Sequence, residues 1–240
     1  MDPSAERVLE GLLSVTDSAV VGSYSAVLYG SAARGQYVPK HSDLNLLLVL
    51  ERVTPDLLRS LGKGLGAWRR AGHPPPVLMS RVEWSRAVDA FPLEVADMKT
   101  AYRVLRGNDP LAGVQVPPAD LRRAIEREFR GKVLQLRRGY ALAHDDPEAL
   151  ATVARGSVAG VLLLLRGLLL LAGQEVPNDP LVLINRAAPL ARFSPDAMAE
   201  IAERRGDHKW RCPAPLFLEY LAALEAAERY VDQLEPGGKS

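Results

Sequence analysis

The chain has 240 residues, of which 48% are hydrophobic, and its formal net charge is +1 at pH 7. This balance lacks the global basic field of a dedicated nucleic-acid binder, and the hydrophobic content is ample for a core. The single cysteine, Cys212, excludes an intrachain disulfide and a cysteine-based zinc site, so we expect a reducing, cytoplasmic location. The first six residues contain neither a basic nor an apolar segment, and we therefore expect no signal peptide.

The first half of the sequence alternates short β-like runs with helical ones up to about residue 112. Thr54-Pro55 is a typical helix start, because threonine caps a helix and proline suits its first turn. Ser80 is expected to cap a second, short helix. The predicted strands lie at 26–29, 44–50, 77–79, 93–98 and 102–105, and the predicted helices at 5–15, 55–70 and 81–90.

After Pro117-Pro118 the pattern is helical throughout. The helices are predicted at 119–144, 148–173, 180–191, 194–205 and 214–234. This change predicts two domains, residues 1–112 and residues 113–240. Residues 157–172 are strongly apolar, but Arg166 interrupts a run that is too short to span a bilayer. We therefore expect a core helix and no membrane association.

The most informative motif is an apolar strand that ends in Gly30-Ser31, followed after eleven residues by Asp43-Leu44-Asn45 and a second apolar strand. The alternation of side chains along a strand puts Asp43 and Asn45 on the same face. Two oxygen donors side by side near a Gly-Ser turn suit a divalent cation that carries a nucleoside triphosphate. The alternative is that both are ordinary turn residues, since Asp and Asn are common in turns.

This pattern resembles the DNA polymerase β-type nucleotidyltransferase superfamily, in which an apolar-Gly-Ser turn precedes an acid-x-acid strand. The resemblance implies an α/β (α+β) nucleotidyltransferase fold with a mixed sheet, followed by an all-α helical bundle domain. It also implies a Mg²⁺-dependent enzyme that transfers a nucleoside monophosphate from an NTP to a hydroxyl acceptor and releases pyrophosphate. The acceptor stays open between a small molecule, a protein and an RNA end, and a homodimer is one alternative for the assembly.

Asn45 stands where the superfamily has its second acid. In the superfamily the two acids of this strand, with a third from a later strand, hold two Mg²⁺ ions. The resemblance thus makes Asp43, Asn45 and a third carboxylate the catalytic metal ligands. An amide oxygen is still a hard ligand but carries no charge, so we expect the metal to be held more weakly. The alternative function is a catalytically impaired nucleotide-binding module that acts as a sensor or an antitoxin-like partner.

A second motif covers Phe91–Lys99 and continues through Tyr102–Gly107. It resembles a bacterial group of stand-alone nucleotidyltransferase-domain proteins with a helical C-terminal domain. The third carboxylate is expected on the strand at 93–98, where Glu94 and Asp97 are three residues apart and point to opposite faces. We prefer Glu94 as the ligand because it follows the Pro-Leu start of the strand, with Asp97 as the alternative. Both are ordinary edge-strand charges in the competing interpretation.

In the superfamily, the Gly-Ser turn and the polar residues after it hold the β and γ phosphates. Gly30, Ser31, Arg34 and Lys40 are therefore the expected nucleotide-binding residues, with His41 as a weaker candidate. The Arg34 guanidinium can take two phosphate oxygens at once, and a solvated loop charge is the alternative. Ser31 also suits a helix N-cap, and a helix N-terminus is itself a phosphate site.

The helix predicted at 119–144 is rich in basic side chains, namely Arg122, Arg123, Arg127, Arg130, Lys132, Arg137 and Arg138. One interpretation is a surface that binds triphosphate, an acidic substrate or RNA. The other is a solvated helix face with i,i+4 ion pairs. The spacing of Arg138 and His144 is similar to that in HEPN ribonucleases, which use arginine and histidine in RNA cleavage. A HEPN-like ribonuclease is therefore the third candidate function.

Overall fold

The structure is a computed structural model that describes residues 3–34, 37 and 43–234. The chain divides into two units, Met1–Gln115 and Val116–Ser240, which we call the N-terminal and C-terminal units. The sequence pattern changes from mixed to helical close to the same place.

The N-terminal unit is built on a mixed sheet, to which its described residues contribute four strands in the order β3-β2-β1-β4. Strand β1 pairs antiparallel with β2 and with β4, whereas β2 and β3 are parallel. The strands are β1 (Ser25–Tyr29), β2 (Asn45–Leu50), β3 (Val77–Ser80) and β4 (Tyr102–Arg106). The helices are α1 (Pro3–Ala19), α2 (Pro55–Arg70), α3 (Arg81–Ser85), α4 (Ala87–Ala90) and α5 (Pro92–Thr100).

One face of the sheet packs against α1 and α2. Leu28 of β1 and Leu46 of β2 lie in a cluster with Leu9 and Leu12 of α1 and with Trp68 of α2, all of them buried. The side chains of successive strand residues alternate between the two faces. The even-numbered residues of β1 and β2 face these helices. Tyr29 at the end of β1 and Asn45 at the start of β2 therefore lie on the opposite face of the sheet.

The local start signals in the sequence are confirmed. The Thr54 hydroxyl accepts a hydrogen bond from the Leu57 N–H at the start of α2. Ser80 and Glu83 form a capping box at the start of α3, in which each side chain accepts from the other residue's N–H. These bonds satisfy N–H groups that a helix leaves unpaired at its first turn.

The strand predicted at 93–98 is wrong, because these residues belong to helix α5. Pro92 occupies the first turn, where proline favours a helix start. Leu93, Ala96 and Met98 are good helix formers. Six of the nine residues of α5 are buried and they lie around most of its circumference, so its apolar positions show no helical period in the sequence. The strand predicted to follow is confirmed as β4.

The described residues of the C-terminal unit form helices joined by loops and no strand. Its helices are α6 (Pro118–Ala143), α7 (Pro147–Leu171), α8 (Pro180–Ala191), α9 (Asp196–Glu203) and α10 (Ala214–Gln233). Helix α7 packs against the other four and contributes twelve buried residues, which explains its apolar sequence. It is also the one helix, among the residues described, that is long and apolar enough to cross a membrane. Within it, Ser157 shares a buried 2.7 Å hydrogen bond with Tyr220 of α10.

Five of the seven basic residues named on α6 form ion pairs with acids on α6 or α10, namely Arg122, Arg123, Arg127, Arg130 and Arg137. Arg137 Nη2 lies 2.8 Å from Glu225, and Arg130 Nε lies 3.0 Å from Glu228. Arg122 Nη1 lies 3.1 Å from Glu126 on the next turn of α6. These contacts favour the interpretation of a solvated, ion-paired face over that of a basic binding surface.

Gly107 and Gly113 form a matched pair for a test of the fold. Both have left-handed φ angles, +71° and +72°. A Cβ at Gly107 would lie 2.0 Å from the Tyr24 carbonyl oxygen, whereas one at Gly113 would have no neighbour within 4 Å. We predict that Gly113→Ala costs about 1–2 kcal/mol of backbone strain, and that Gly107→Ala costs at least about 2 kcal/mol more. Urea unfolding measures both, and equal losses would contradict the crowding at Gly107.

Candidate nucleotide site

The Gly30 turn follows directly from β1. Gly30 has φ +76°, which favours glycine, and its N–H donates to the Ala101 carbonyl at 3.1 Å. The N–H of Ala33 and that of Arg34 both donate to the Gly30 carbonyl. Ser31 lies inside a short 3₁₀ turn, Gly30–Ala32. Among the described residues it is therefore not the N-cap of an α-helix, and its role in phosphate binding stays a prediction.

Asn45 lies against this turn. It is the first residue of β2 and pairs directly with Tyr29 of β1, so the two side chains project from the same face. A Cβ at Gly30 would lie 3.1 Å from Asn45 Nδ2. The polar start of β2 and the Gly-Ser turn, which are far apart in sequence, therefore meet in space.

Asp43 precedes β2 instead of lying within it, so strand alternation does not orient its side chain, and it is exposed. The next residue is fixed from outside the strand, because the Leu44 N–H donates to His73 Nδ1 at 3.4 Å. His73 is 8% exposed and packs edge-on against Trp68, with ring centroids 5.2 Å apart. His73 thus orients the backbone beside Asp43. Its position in a proline-rich loop gave no signal of this contact.

The acids of the second motif lie on α5, where Glu94 is exposed and Asp97 is buried. The expectation that they point to opposite faces is wrong, because residues three apart on a helix are neighbours. Both raise the pKa of Tyr29, which reaches about 12 through burial, then the charge of Asp97, then that of Glu94. The α5 acids therefore place negative charge near Tyr29, the residue that pairs with Asn45.

Arg34 is half-buried and its guanidinium donates to the Thr100 hydroxyl at the end of α5. The Thr100 hydroxyl in turn donates to the Asp97 carbonyl at 2.7 Å. Sequence reasoning missed Thr100, because a lone threonine at a helix end has no distinctive pattern. Lys40 and His41 lie outside the described residues.

The oxygen donors of Asp43 and Asn45 fit a Mg²⁺ site that is completed by the substrate. Within residues 3–34, 37 and 43–234, no group of three or more His, Cys, Asp or Glu side chains is placed to hold a metal ion. Asp43 and Asn45 offer hard oxygen donors, and Mg²⁺ is typically held by one or two carboxylates together with substrate phosphates. These residues therefore suit a Mg²⁺ ion that arrives with a nucleotide.

The HEPN-like pair does not form a contact in the described helix. Arg138 and His144 are both exposed near the end of α6, and six residues on a helix turn them about 120° apart around its axis. The ring of His144 instead contacts Tyr140, at a centroid distance of 6.1 Å. The ribonuclease stays an untested prediction, without support from this arrangement.

The mixed sheet and the helical C-terminal part together form an α/β nucleotidyltransferase fold, which confirms the expected fold class. A crystal structure of spectinomycin adenyltransferase AAD(9) from Enterococcus faecialis, with ATP and spectinomycin, matches with a TM-score of 0.59. The match has 13% sequence identity and covers 95% of this chain and 99% of that chain. This likeness shows the fold. No protein-family model and no curated protein matches the sequence.

The pKa of Tyr29 provides a test of how the α5 acids are placed. We predict that Asp97→Asn lowers this pKa more than Glu94→Gln does, because the charge of Asp97 is the larger of the two contributions. Burial is the largest cause, so in both variants the pKa should stay above its ordinary value of about 10. The measurement is an ultraviolet tyrosinate titration, with Tyr29→Phe to identify the Tyr29 signal. Equal shifts in the two variants would contradict the placement.

Proposed function

We propose that this protein is a nucleotidyltransferase that moves a nucleoside monophosphate from an NTP to a hydroxyl acceptor. The observation that carries the proposal is the contact between the Gly30 turn and Asn45. The contact brings together the Gly-Ser turn, which we propose to hold phosphates, and Asn45, whose side-chain oxygen we propose to hold a cation. The fold supports it, since the similar structure is that of an adenyltransferase with ATP.

The proposed roles follow the geometry of the N-terminal unit. Gly30, Ser31 and Arg34, with Lys40 as a further candidate, hold the β and γ phosphates. Asp43 and Asn45 hold Mg²⁺, which when bound neutralises triphosphate charge. The third carboxylate was predicted to be Glu94. The burial of Asp97 and its stronger effect on Tyr29 favour Asp97 for this role instead.

The reaction is an exchange at the α-phosphorus. The acceptor oxygen forms a bond to this phosphorus as the bond to the bridging oxygen breaks, and pyrophosphate leaves while the acceptor hydroxyl loses its proton. The residues of the site act mainly by holding the triphosphate in line with the acceptor and by opposing its charge. Arg34 supplies donors for this, and Gly30 allows the backbone to approach closely.

The direct test is transfer from α-labelled ATP. The similar structure contains spectinomycin, so spectinomycin is the first acceptor to test, followed by other hydroxyl-bearing small molecules, protein and RNA ends. A labelled acceptor and released pyrophosphate, both dependent on Mg²⁺, are expected. Nucleotide binding without transfer to any acceptor would instead favour the second candidate function.

The second candidate function is a nucleotide-binding module with weak or no catalysis. The observation that favours it is Asn45, which removes one negative charge from a site for cations. With one carboxylate fewer, we expect the rate to fall more than the affinity, because catalysis in this class depends on charge neutralisation at the transition state.

Asp43 is tested by removing its carboxylate. We predict that Asp43→Ala abolishes Mg²⁺-dependent NTP binding measured by calorimetry, while the melting temperature without ligand holds or rises, since Asp43 is exposed. Asp56→Ala is the matched control, because Asp56 is an exposed acid whose carboxylate lies 2.6 Å from Arg59 on the next turn of α2. Unchanged Mg²⁺-nucleotide affinity in Asp43→Ala would exclude the metal-ligand role.

Asn45 is tested by restoring the charge. We predict that Asn45→Asp raises Mg²⁺-nucleotide affinity and increases transfer, because it adds a carboxylate to a site built for cations. Asn45→Ala serves as the comparison, since it removes the oxygen donor altogether. Higher affinity without any transfer would favour the binding module, and lower affinity in Asn45→Asp would contradict the cation site.

A further inference from the structure

Thr100 makes two hydrogen bonds whose directions are fixed. Its hydroxyl donates to the Asp97 carbonyl at 2.7 Å and accepts from Nη2 of Arg34. A carbonyl accepts and a guanidinium donates, so the hydroxyl proton points to Asp97 and an oxygen lone pair faces Arg34. Threonine is branched at Cβ and stiff about χ1, which limits where its hydroxyl can point.

A second link holds the same two segments together. The Gly30 N–H donates to the carbonyl of Ala101, the residue after Thr100, at 3.1 Å. The Arg34 N–H donates to the Gly30 carbonyl at 3.2 Å. Gly30, Arg34, Thr100 and Ala101 therefore form a closed ring of contacts between the phosphate-binding turn and the end of α5. Arg34 is held in it at both its backbone and its side chain.

We propose that Thr100 is a positioning residue, which holds the Arg34 guanidinium in the orientation that binds the β and γ phosphates of the nucleotide. The proposal rests on the proposed nucleotide site. Ordering a free arginine side chain costs conformational entropy at the moment of binding. A guanidinium that Thr100 already holds is ordered when the chain folds. It therefore binds the phosphates more tightly than a mobile arginine side chain would.

A purely structural role for Thr100 predicts a different experimental result. Its bond to Asp97 satisfies a carbonyl near the end of α5, and this contact alone would stabilise the helix. A structural role would lower the melting temperature and weaken every ligand alike. A positioning role acts through Arg34, so it weakens ligands that carry β and γ phosphates and leaves those without them unchanged.

The experiment compares Thr100→Val, which keeps the shape but removes the hydroxyl, with Thr100→Ser, which keeps the hydroxyl. Thr152→Val is the matched control, because the exposed Thr152 hydroxyl donates to the Glu148 carbonyl of its own helix at 3.1 Å. Calorimetry with Mg-ATP, AMP and adenosine gives the affinities. We expect Thr100→Val to weaken Mg-ATP about tenfold, with AMP and adenosine unchanged. Thr100→Ser should recover most of the loss, and Thr152→Val should show none.

A double-mutant cycle with Arg34→Ala tests whether Thr100 affects Mg-ATP binding through Arg34. If Thr100 acts through Arg34, then Thr100→Val adds no further loss of Mg-ATP affinity in the Arg34→Ala background. Additive losses, or equal losses for Mg-ATP and adenosine, would overturn the proposal. If Thr100→Val fails to fold, Thr100→Ala and Thr100→Ser provide the same comparison.

The outcomes separate this inference from the proposed function. If the natural chain binds Mg-ATP and Arg34→Ala loses it while Thr100→Val does not, then the positioning role alone is wrong. If the natural chain binds no nucleotide, the proposed function is wrong and the role of Thr100 falls with it.

Discussion

The close approach of the Gly30 turn to Asn45 is the contact on which the arrangement of the site depends. Antiparallel pairing of β1 with β2 puts Tyr29 directly opposite Asn45, and the turn at Gly30 continues from there. Gly30 has a left-handed φ, and a Cβ added there would lie only 3.1 Å from Asn45 Nδ2, so there is little room for a side chain at this position. One backbone geometry thus brings the Gly-Ser turn and the polar start of β2, the two parts of the proposed nucleotide site, to the same edge of the sheet.

The end of helix α5 contacts the Gly-Ser turn as well. Its last residue holds Arg34, the residue after it accepts from Gly30, and its acids raise the pKa of the adjacent Tyr29. A strand at these positions would have sent Glu94 and Asp97 to opposite faces, whereas the helix brings their charges toward one phenol. A buried acid such as Asp97 costs stability unless its polar atoms are paired, and buried acids of this kind are typical of functional sites.

The choice between the two candidate functions depends on Asn45, which lacks the negative charge that the superfamily has at this position. The fold hosts both chemistry and binding, so the decision between them depends on the residues of the site and not on the architecture. Asp43 keeps a carboxylate, Arg34 keeps a guanidinium for phosphate, and the amide of Asn45 keeps an oxygen donor without its charge. In the function we propose, this set binds a Mg²⁺-nucleotide, and the missing charge lowers the rate of transfer more than the affinity.

The sequence by itself determined the features that depend on neighbouring residues. The caps at Thr54 and Ser80, the strands on either side of the Gly-Ser turn and the five helices of the C-terminal unit all follow from local patterns. Only the tertiary structure decided that residues 92–100 are helical, because the six buried residues of this helix do not follow a helical period in the sequence. It also decided the contacts of His73 with Leu44 and of Thr100 with Arg34. These join residues that are distant in the chain, and no local pattern carries information about which of them will meet.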